Sequence, residues 1–418
     1  MQHNENNEFI INLKKYVNDN FKGDKTREKF LKNFKKFPSP KNEPWRLSRL
    51  SELSRKIIAP KWHVDKTNVN YKNILKNPYT IIFVDGVYRK DLSDKFLEDV
   101  KISFHEISEF ESFLETFKNE QTFNHPTFNL TSCCSKELVK IKIKKNSKIL
   151  KPIEIIHIAD SPEYTIHPFI LFDIEENCSL TISEIFKTKS GLIAPLQYIK
   201  LGRDSKLDFI RVFDDEISTH NLSLSLKFLE DNANCKCFDL IKGGRFTRSE
   251  SHAFLKGVNS SIDLNCIYLS SRNQHHDFTS VIFHEVPNCN SSQVVRGVLN
   301  DKSSGVFQGK VIVNKNAQKT NAQQMSKALL LSDLSKSNSK PELEIFADDV
   351  ICSHGATVGD LDKDEMFYLL SRGISEKKAK SILIEAFIYE TVENSVDTKY
   401  FSEIFDEAKL GFKNILNN

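Results

Sequence analysis

The chain has 418 residues, with 59 Lys and Arg against 56 Asp and Glu for a net charge of +3; 39% of it is hydrophobic and 28% charged. This is the composition of an ordinary folded protein, long enough for a sizeable core and about three domains, and its near-balanced charge argues against a dedicated nucleic-acid binder. No apolar run approaches the roughly 18 residues that span a bilayer, and Met1 to Asn7 is polar with no signal-peptide core.

From Glu8 to Phe37 the pattern is helical. Phe9, Ile10, Leu13 and Tyr16, then Phe30, Leu31 and Phe34, recur at helical spacing. Lys and Arg fill the other positions and read as a solvated face rather than a nucleic-acid arm. Pro38, Pro40 and Pro44 end the region, and 46–58 reads as helical again. Thr80 to Tyr88 reads as a strand that turns at Asp85-Gly86, and Asp94 to Lys118 as an amphipathic helix. Residues 1–130 group as a mainly helical, mixed N-terminal domain.

The texture changes near Leu138. Val139, Ile141 and Ile143 alternate with lysines, as on a strand with one apolar and one solvated face. Turn signals then recur at Glu176-Asn177, Arg203-Asp204, Asp231-Asn232, Val258-Asn259, Asn288-Cys289 and Lys315-Asn316, in steps of 27 to 29 residues. Short apolar runs follow each, such as Leu180–Ile182 and Ile262–Leu264. A fixed period of this size points to stacked units, each burying its apolar face on its neighbour. Stacking predicts one continuous apolar column from about residue 138 to 358, with Ile262 and Leu264 facing it. Periodicity alone leaves a sandwich or an irregular barrel open.

In the stretch from Lys340 to Glu390, Val350, Cys352 and His354 alternate. On a strand they share one face, with the thiol and imidazole about 6–7 Å apart. Gly355 and Gly359 predict a sharp turn just after them. Residues 360–418 read as helices. Ala379, Ile382, Leu383, Ala386 and Phe387 form one apolar stripe, while Ile384, Ile388 and Tyr389 belong to a second. A helix apolar on two sides is sandwiched between elements or docked on a partner. From about Thr398, Phe401, Ile404, Phe405, Ala408 and Phe412 line one face of a further helix.

Thiolate and imidazole both suit iron, so Cys352 and His354 are the first candidate ligands. The plain alternative is a small buried hydrophobe beside a hydrogen-bonded histidine. Cys235 and Cys237 share a strand face but are too few for a closed metal site and read as core. Cys133 and Cys134 read as packing. His275-His276-Asp277 reads as a turn next to Asn273; His252 and His284 lie in the repeats without further pattern. Neither a nucleophile motif nor a phosphate-binding glycine loop is present. Eight cysteines scattered through a long chain argue against a disulfide framework, and a reducing cytoplasm is the simplest compartment.

The run Pro-x-Leu-Glu-Ile-x-Ala-Asp-Asp-Val-x-Cys-Ser-His-Gly-Ala-Thr-Val-Gly, from Pro341 to Gly359, resembles the C-terminal core of the SufB/SufD family of iron–sulfur cluster assembly proteins, on its SufD side. Glu43-Pro44-Trp45-Arg46 is similar to the family's Glu-x-Trp element. Phe83-Val84-Asp85-Gly86 is similar to its Phe-Val-Asn-Gly strand, with Asp85 replacing Asn, and Lys151-Pro152-Ile153 matches its Lys-Pro-Ile step. The resemblance covers nearly the whole chain, densely in the C-terminal third and thinly before Glu43. It implies a mainly β fold: a right-handed parallel β-helix over 131–359, flanked by the N-terminal domain and by C-terminal helices over 360–418. It further implies a non-enzymatic subunit that pairs with SufB through the end of the β-helix and binds the SufC ATPase through the C-terminal helices. On those helices Leu361, Phe367, Tyr368, Arg372, Ile374, Ile384 and Ile388 are the candidate contacts. His354, with Cys352, would meet a transient cluster or iron at the SufB interface; no tightly bound cofactor, nucleic acid or membrane is implied, and alone the chain could homodimerise. SufB itself is the near alternative, though no cysteine precedes Cys133 here, whereas SufB chains carry N-terminal cysteines. A β-helix carbohydrate-active enzyme is the alternative of another class; it needs clustered carboxylates, and no such cluster stands out in the repeats.

Overall fold

The computed structural model describes residues 2–34, 37–38, 41–48, 59–60, 70–96, 98–110 and 124–417. In chain order the strands are β1 (Ala59–Pro60), β2 (Tyr79–Val84), β3 (Val87–Tyr88), β4 (Val100–His105), β5 (Leu138–Ile143), β6 (Ile153–Ile166), β7 (Phe169–Ile174), β8 (Ser179–Ile193), β9 (Leu196–Leu201) and β10 (Lys206–Phe213). They continue with β11 (His220–Leu229), β12 (Asn234–Ile241), β13 (Phe246–Leu255), β14 (Ser261–Ser270), β15 (His275–His284), β16 (Asn290–Leu299), β17 (Ser304–Val313), β18 (Thr320–Leu330), β19 (Lys336–Ile345) and β20 (Val350–Gly359). From β5 onward each strand pairs in parallel with the strand two places further along. The chain therefore alternates between two sheets, winding a β-solenoid of about eight turns.

The expected period sits at one corner of the coil. Asn146, Asn177, Asp204, Asn232, Asn259, Asn288 and Lys319 stack there, each with φ between 55° and 62°. Asn and Asp tolerate this left-handed conformation because their short side chains bond locally. Asn177 Nδ2 donates to Asn146 Oδ1 at 2.8 Å, and Asn232 Nδ2 to Asp204 Oδ1 at 2.9 Å, so turn chemistry also ties adjacent layers. The sixth expected turn, at Asn316, lies three residues early: Lys319 is the left-handed residue.

Three apolar layers result. Between the sheets lie Val139, Ile141, Ile143, Ile182, Phe209, Cys235, Cys237, Ile262, Leu264 and Phe307. Lys140 and Lys142 face the other way and pair with Asp173 on β7 and Glu175 just after it, at 2.8 and 2.6 Å. The interior is not uniformly apolar as stacking alone predicts. Arg211 forms a forked pair with Asp239 inside it, at 2.9 and 2.6 Å, and also donates to Ser223 and Ser249. Over the outer face of the odd-numbered sheet pack α1 (Gln2–Asn20), α2 (Lys25–Asn33) and α3 (Pro126–Cys134). They bring Phe9, Leu13, Phe30 and Phe128 against Leu196, Leu224 and the stacked rings of Tyr198, Phe228, Phe254 and Phe283. Asp24 caps α2 by accepting the Arg27 N–H.

Over the outer face of the even-numbered sheet pack α4 (Lys363–Ser371), α5 (Glu376–Ser395) and α6 (Phe401–Asn417). Ile404, Phe405, Ala408 and Phe412 of α6 are buried there as expected. On α5 both stripes contribute, and Ala379 of the first is buried while Tyr389 of the second is exposed. Ile384, Ile388 and Val392 are fully buried with Ile210, Phe238, Ile267 and Val298, while Ala386 is exposed and Ile382, Leu383 and Phe387 are half-buried.

Other local expectations change. β1 and β2 both pair in parallel with β6, so residues 59–60 and 79–84 of the N-terminal region join the ladder of the solenoid. Within Asp94–Lys118, residues 100–105 form β4, antiparallel to β5; helix begins at Ile107, and 111–118 lie outside the described residues. Most of the helix expected over 46–58 also lies outside them. His275, His276 and Asp277 belong to strand β15 and point to alternate faces. His275 stacks on Phe246, His276 bonds Gly243 O and Ser270 Oγ, and Asp277 pairs with Arg248.

Candidate functional site

The solenoid stays closed along its length and opens at its last turn. Strands β11 and β13 are buried throughout; in β18 buried residues alternate with more exposed ones, β19 has no buried residue, and most of β20 is exposed. Among the described residues, β20 pairs with β18 alone, and β19 carries no strand beyond it. The outer edges of both strands are thus free hydrogen-bonding templates. Around them Ile351 is 70% exposed and Phe346 64%, with Met325, Ile345 and Val358 also at the surface.

Cys352 and His354 lie on β20 in register with Ala322 and Gln324 of β18. Cys352 is half-buried and packs on the interior cluster. Burial pushes its thiol up against a backbone hydrogen bond from Ala322, so a metal would have to displace its proton. His354 continues the same inward-facing row, yet it is exposed because no further turn covers it. The expected turn at Gly355 is absent. The strand runs on to Gly359, and neither glycine has positive φ. His354 therefore stands mid-strand at a sheet edge, not where a strand ends.

Beneath the imidazole runs a row that the sequence reading missed. Gln293 and Gln324 precede His354 in successive layers and are 1% and 2% exposed. Gln293 Oε1 accepts from Ser280 Oγ at 2.5 Å, but its Nε2 has no hydrogen-bond partner, and neither polar atom of Gln324 has one. Ser339 Oγ on β19 is likewise unpartnered. Buried amides are normally satisfied, and these polar atoms find no hydrogen-bond partner among the described residues. The signal of this row was present in the inward positions of the Thr320–Leu330 strand, where a glutamine replaces the usual hydrophobe.

The candidate docking residues divide. Phe367 is 73% and Tyr368 56% exposed on α4, with the Arg372 guanidinium 5.1 Å from the Tyr368 ring centre. Leu361 and Ile374 are half-buried. Ile384 and Ile388 do not join them: they are 0% exposed and hold α5 to the chain's own sheet, because that sheet offers a wide apolar face for them to cover.

Residues 157–387, more than half of the chain, match the family model described as the SufBD core domain of the SUF system of FeS cluster assembly. The iron–sulfur cluster assembly protein SufD of Escherichia coli K12 is 28% identical over 366 residues, covering 85% of both chains. An iron–sulfur cluster assembly SufBD family protein of Synechocystis is 26% identical, over 86% of this chain and 84% of that one. Protein ABCI7, chloroplastic, of Arabidopsis thaliana is 25% identical, over 91% and 83%.

Proposed function

The chain belongs to the SufBD family, with a role in iron–sulfur cluster assembly, and from that premise we propose that it is a SufD-type subunit whose open solenoid end pairs with SufB. The observation that carries this is the bare edge of β20, with His354 exposed above an unsatisfied polar row. A partner strand laid along that edge would satisfy its backbone groups and cover Phe346 and Ile351. The imidazole of His354, with the Cys352 thiol two residues before it, would then face the partner. Iron or a nascent cluster is cargo at this junction: imidazole is a borderline ligand that also moves protons near neutral pH. No turnover is assigned to the chain itself. SufC would dock on the exposed face of α4 around Phe367 and Tyr368. The eight unpaired cysteines support a reducing compartment such as the cytoplasm. Without SufB, the same edge would accept a second copy of the chain.

The test is His354→Ala in a strain lacking its own SufD, grown under iron limitation, beside a thermal melt of the purified complex with SufB and SufC. The expected result is a normal melt and intact SufB binding with cluster maturation lost, and a milder loss for Cys352→Ala. Full complementation by His354→Ala would refute the ligand role. Failure with a collapsed melt would return the residue to a structural one.

A further inference from the structure

Away from the open end, the N-terminal helices and the solenoid close around a second set of ligand-type side chains. His125 is the N-cap residue of α3. Glu250 and His252 stand two residues apart on β13 and so share its outer face. One donor atom from each lies within 4.8 Å of the other two. All three side chains are more than nine-tenths buried. His252 Nε2 is 2.9 Å from Glu250 Oε1, and His125 Nε2 is 3.1 Å from Oε2. Beyond these contacts, Nδ1 of His125 and Nδ1 of His252 are buried with no hydrogen-bond partner among the described residues.

A purely structural hub explains only part of this. Arg248 Nε donates to Glu250 Oε2 at 2.8 Å, which would account for a buried carboxylate. The same guanidinium also pairs with Asp277 at 2.8 Å and lies 4.0 Å over the Trp45 ring. One guanidinium thus serves two carboxylates, leaving one negative charge for a further cation. The two unpartnered imidazole nitrogens remain unexplained, and buried nitrogens seldom stay so.

We propose that His125, Glu250 and His252 form a binding site for one divalent transition-metal ion, iron(II) or zinc, fastening α3 to β13. Two imidazoles and one carboxylate suit either ion. The donors line a cleft of about 640 Å³ that also borders Trp45, Lys340 and Glu342, with room for water to complete the coordination sphere. This site is independent of the one on β20, and nothing in the Cys352 and His354 reading requires it.

The test uses the full-length protein, stripped with a chelator and titrated separately with zinc and, anaerobically, with iron(II), by calorimetry and thermal melt. One equivalent should bind and raise the melt. X-ray absorption of the one-equivalent sample should show a nitrogen and oxygen shell with imidazole scattering at about 2.0–2.2 Å, and no sulfur at about 2.3 Å. His125→Ala or His252→Ala should weaken binding at least about tenfold by removing one coordinate bond, whereas His354→Ala and Cys352→Ala should leave it unchanged. A sulfur shell in the wild-type sample, uptake that survives both histidine variants, or no uptake of either ion by the folded protein would each overturn the proposal. The wild-type spectrum decides the matter even where a variant fails to fold.

Discussion

The two faces of the C-terminal helices can be separated by single substitutions. Ile388 is 0% exposed beneath α5, in one cluster with Phe238, Leu240 and Ile267. Removing an isoleucine side chain from water is worth about 1.5–3 kcal/mol, and the cavity left on truncation raises the loss for Ile388→Ala to about 2–5 kcal/mol. Phe367 is 73% exposed, so folding hides about a quarter of it and Phe367→Ala should cost less than about 1 kcal/mol. Deleting everything after Gly359 cannot make this distinction, because it would bare the outer face of the even-numbered sheet and invite aggregation. The assay is urea denaturation followed by circular dichroism, paired with capture of SufC on the immobilised chain. Ile388→Ala should lower the midpoint and retain SufC in conditions where it is folded; Phe367→Ala should do the reverse. An Ile388→Ala variant with an unchanged midpoint and lost capture would show that the assignment of the two faces is inverted.

Two further outcomes follow from buried charge. Asp239→Asn leaves the Arg211 guanidinium inside the solenoid without its forked partner, and should cost about 3–5 kcal/mol; a denaturation free energy within about 1 kcal/mol of wild type would mean that the surrounding serines suffice. Burial raises the Glu154 carboxyl to about 6, against hydrogen bonds from Leu75 and Ile74 N–H and Ser183 Oγ. A raised carboxyl binds its proton more tightly in the fold than in the unfolded chain, so its contribution favours the fold at low pH and is lost as pH rises from about 4.5 through 6. That loss is about 2 kcal/mol, and it should disappear from the pH profile of Glu154→Gln; identical slopes in the two proteins would remove Glu154 as its source.

The coil was legible because its signal is local and repeated. Residues such as Asn177, Asp204 and Asn232 need no distant partner to adopt a left-handed turn, so their spacing transmits the period directly. The buried face of α5 was not legible. Apolar residues lie on more than one side of the helix, and only the sheet beneath it selects Ile384 and Ile388. Gly355 misled for a related reason: glycine permits a turn but does not impose one, and pairing with Met325 in the ladder holds it extended. His354 was found through its motif. The cluster of His125, Glu250 and His252 was invisible because its members meet only when α3 closes on β13, across more than a hundred residues. Arg211 was likewise hidden, since an arginine inside a stack is acceptable only once Asp239 of the next layer is known to be there.

The two ends of the coil differ in what they can recruit. At the start, β2 and β5 each carry an antiparallel neighbour, β3 and β4; at the finish, β19 and β20 stop as bare parallel strands. A rod sticky at both ends would add copies head to tail without limit, as fibres do. A rod whose start is closed would act as a chain terminator: joined by its finish to another finish it would leave no growing tip, and such an assembly would stop at two.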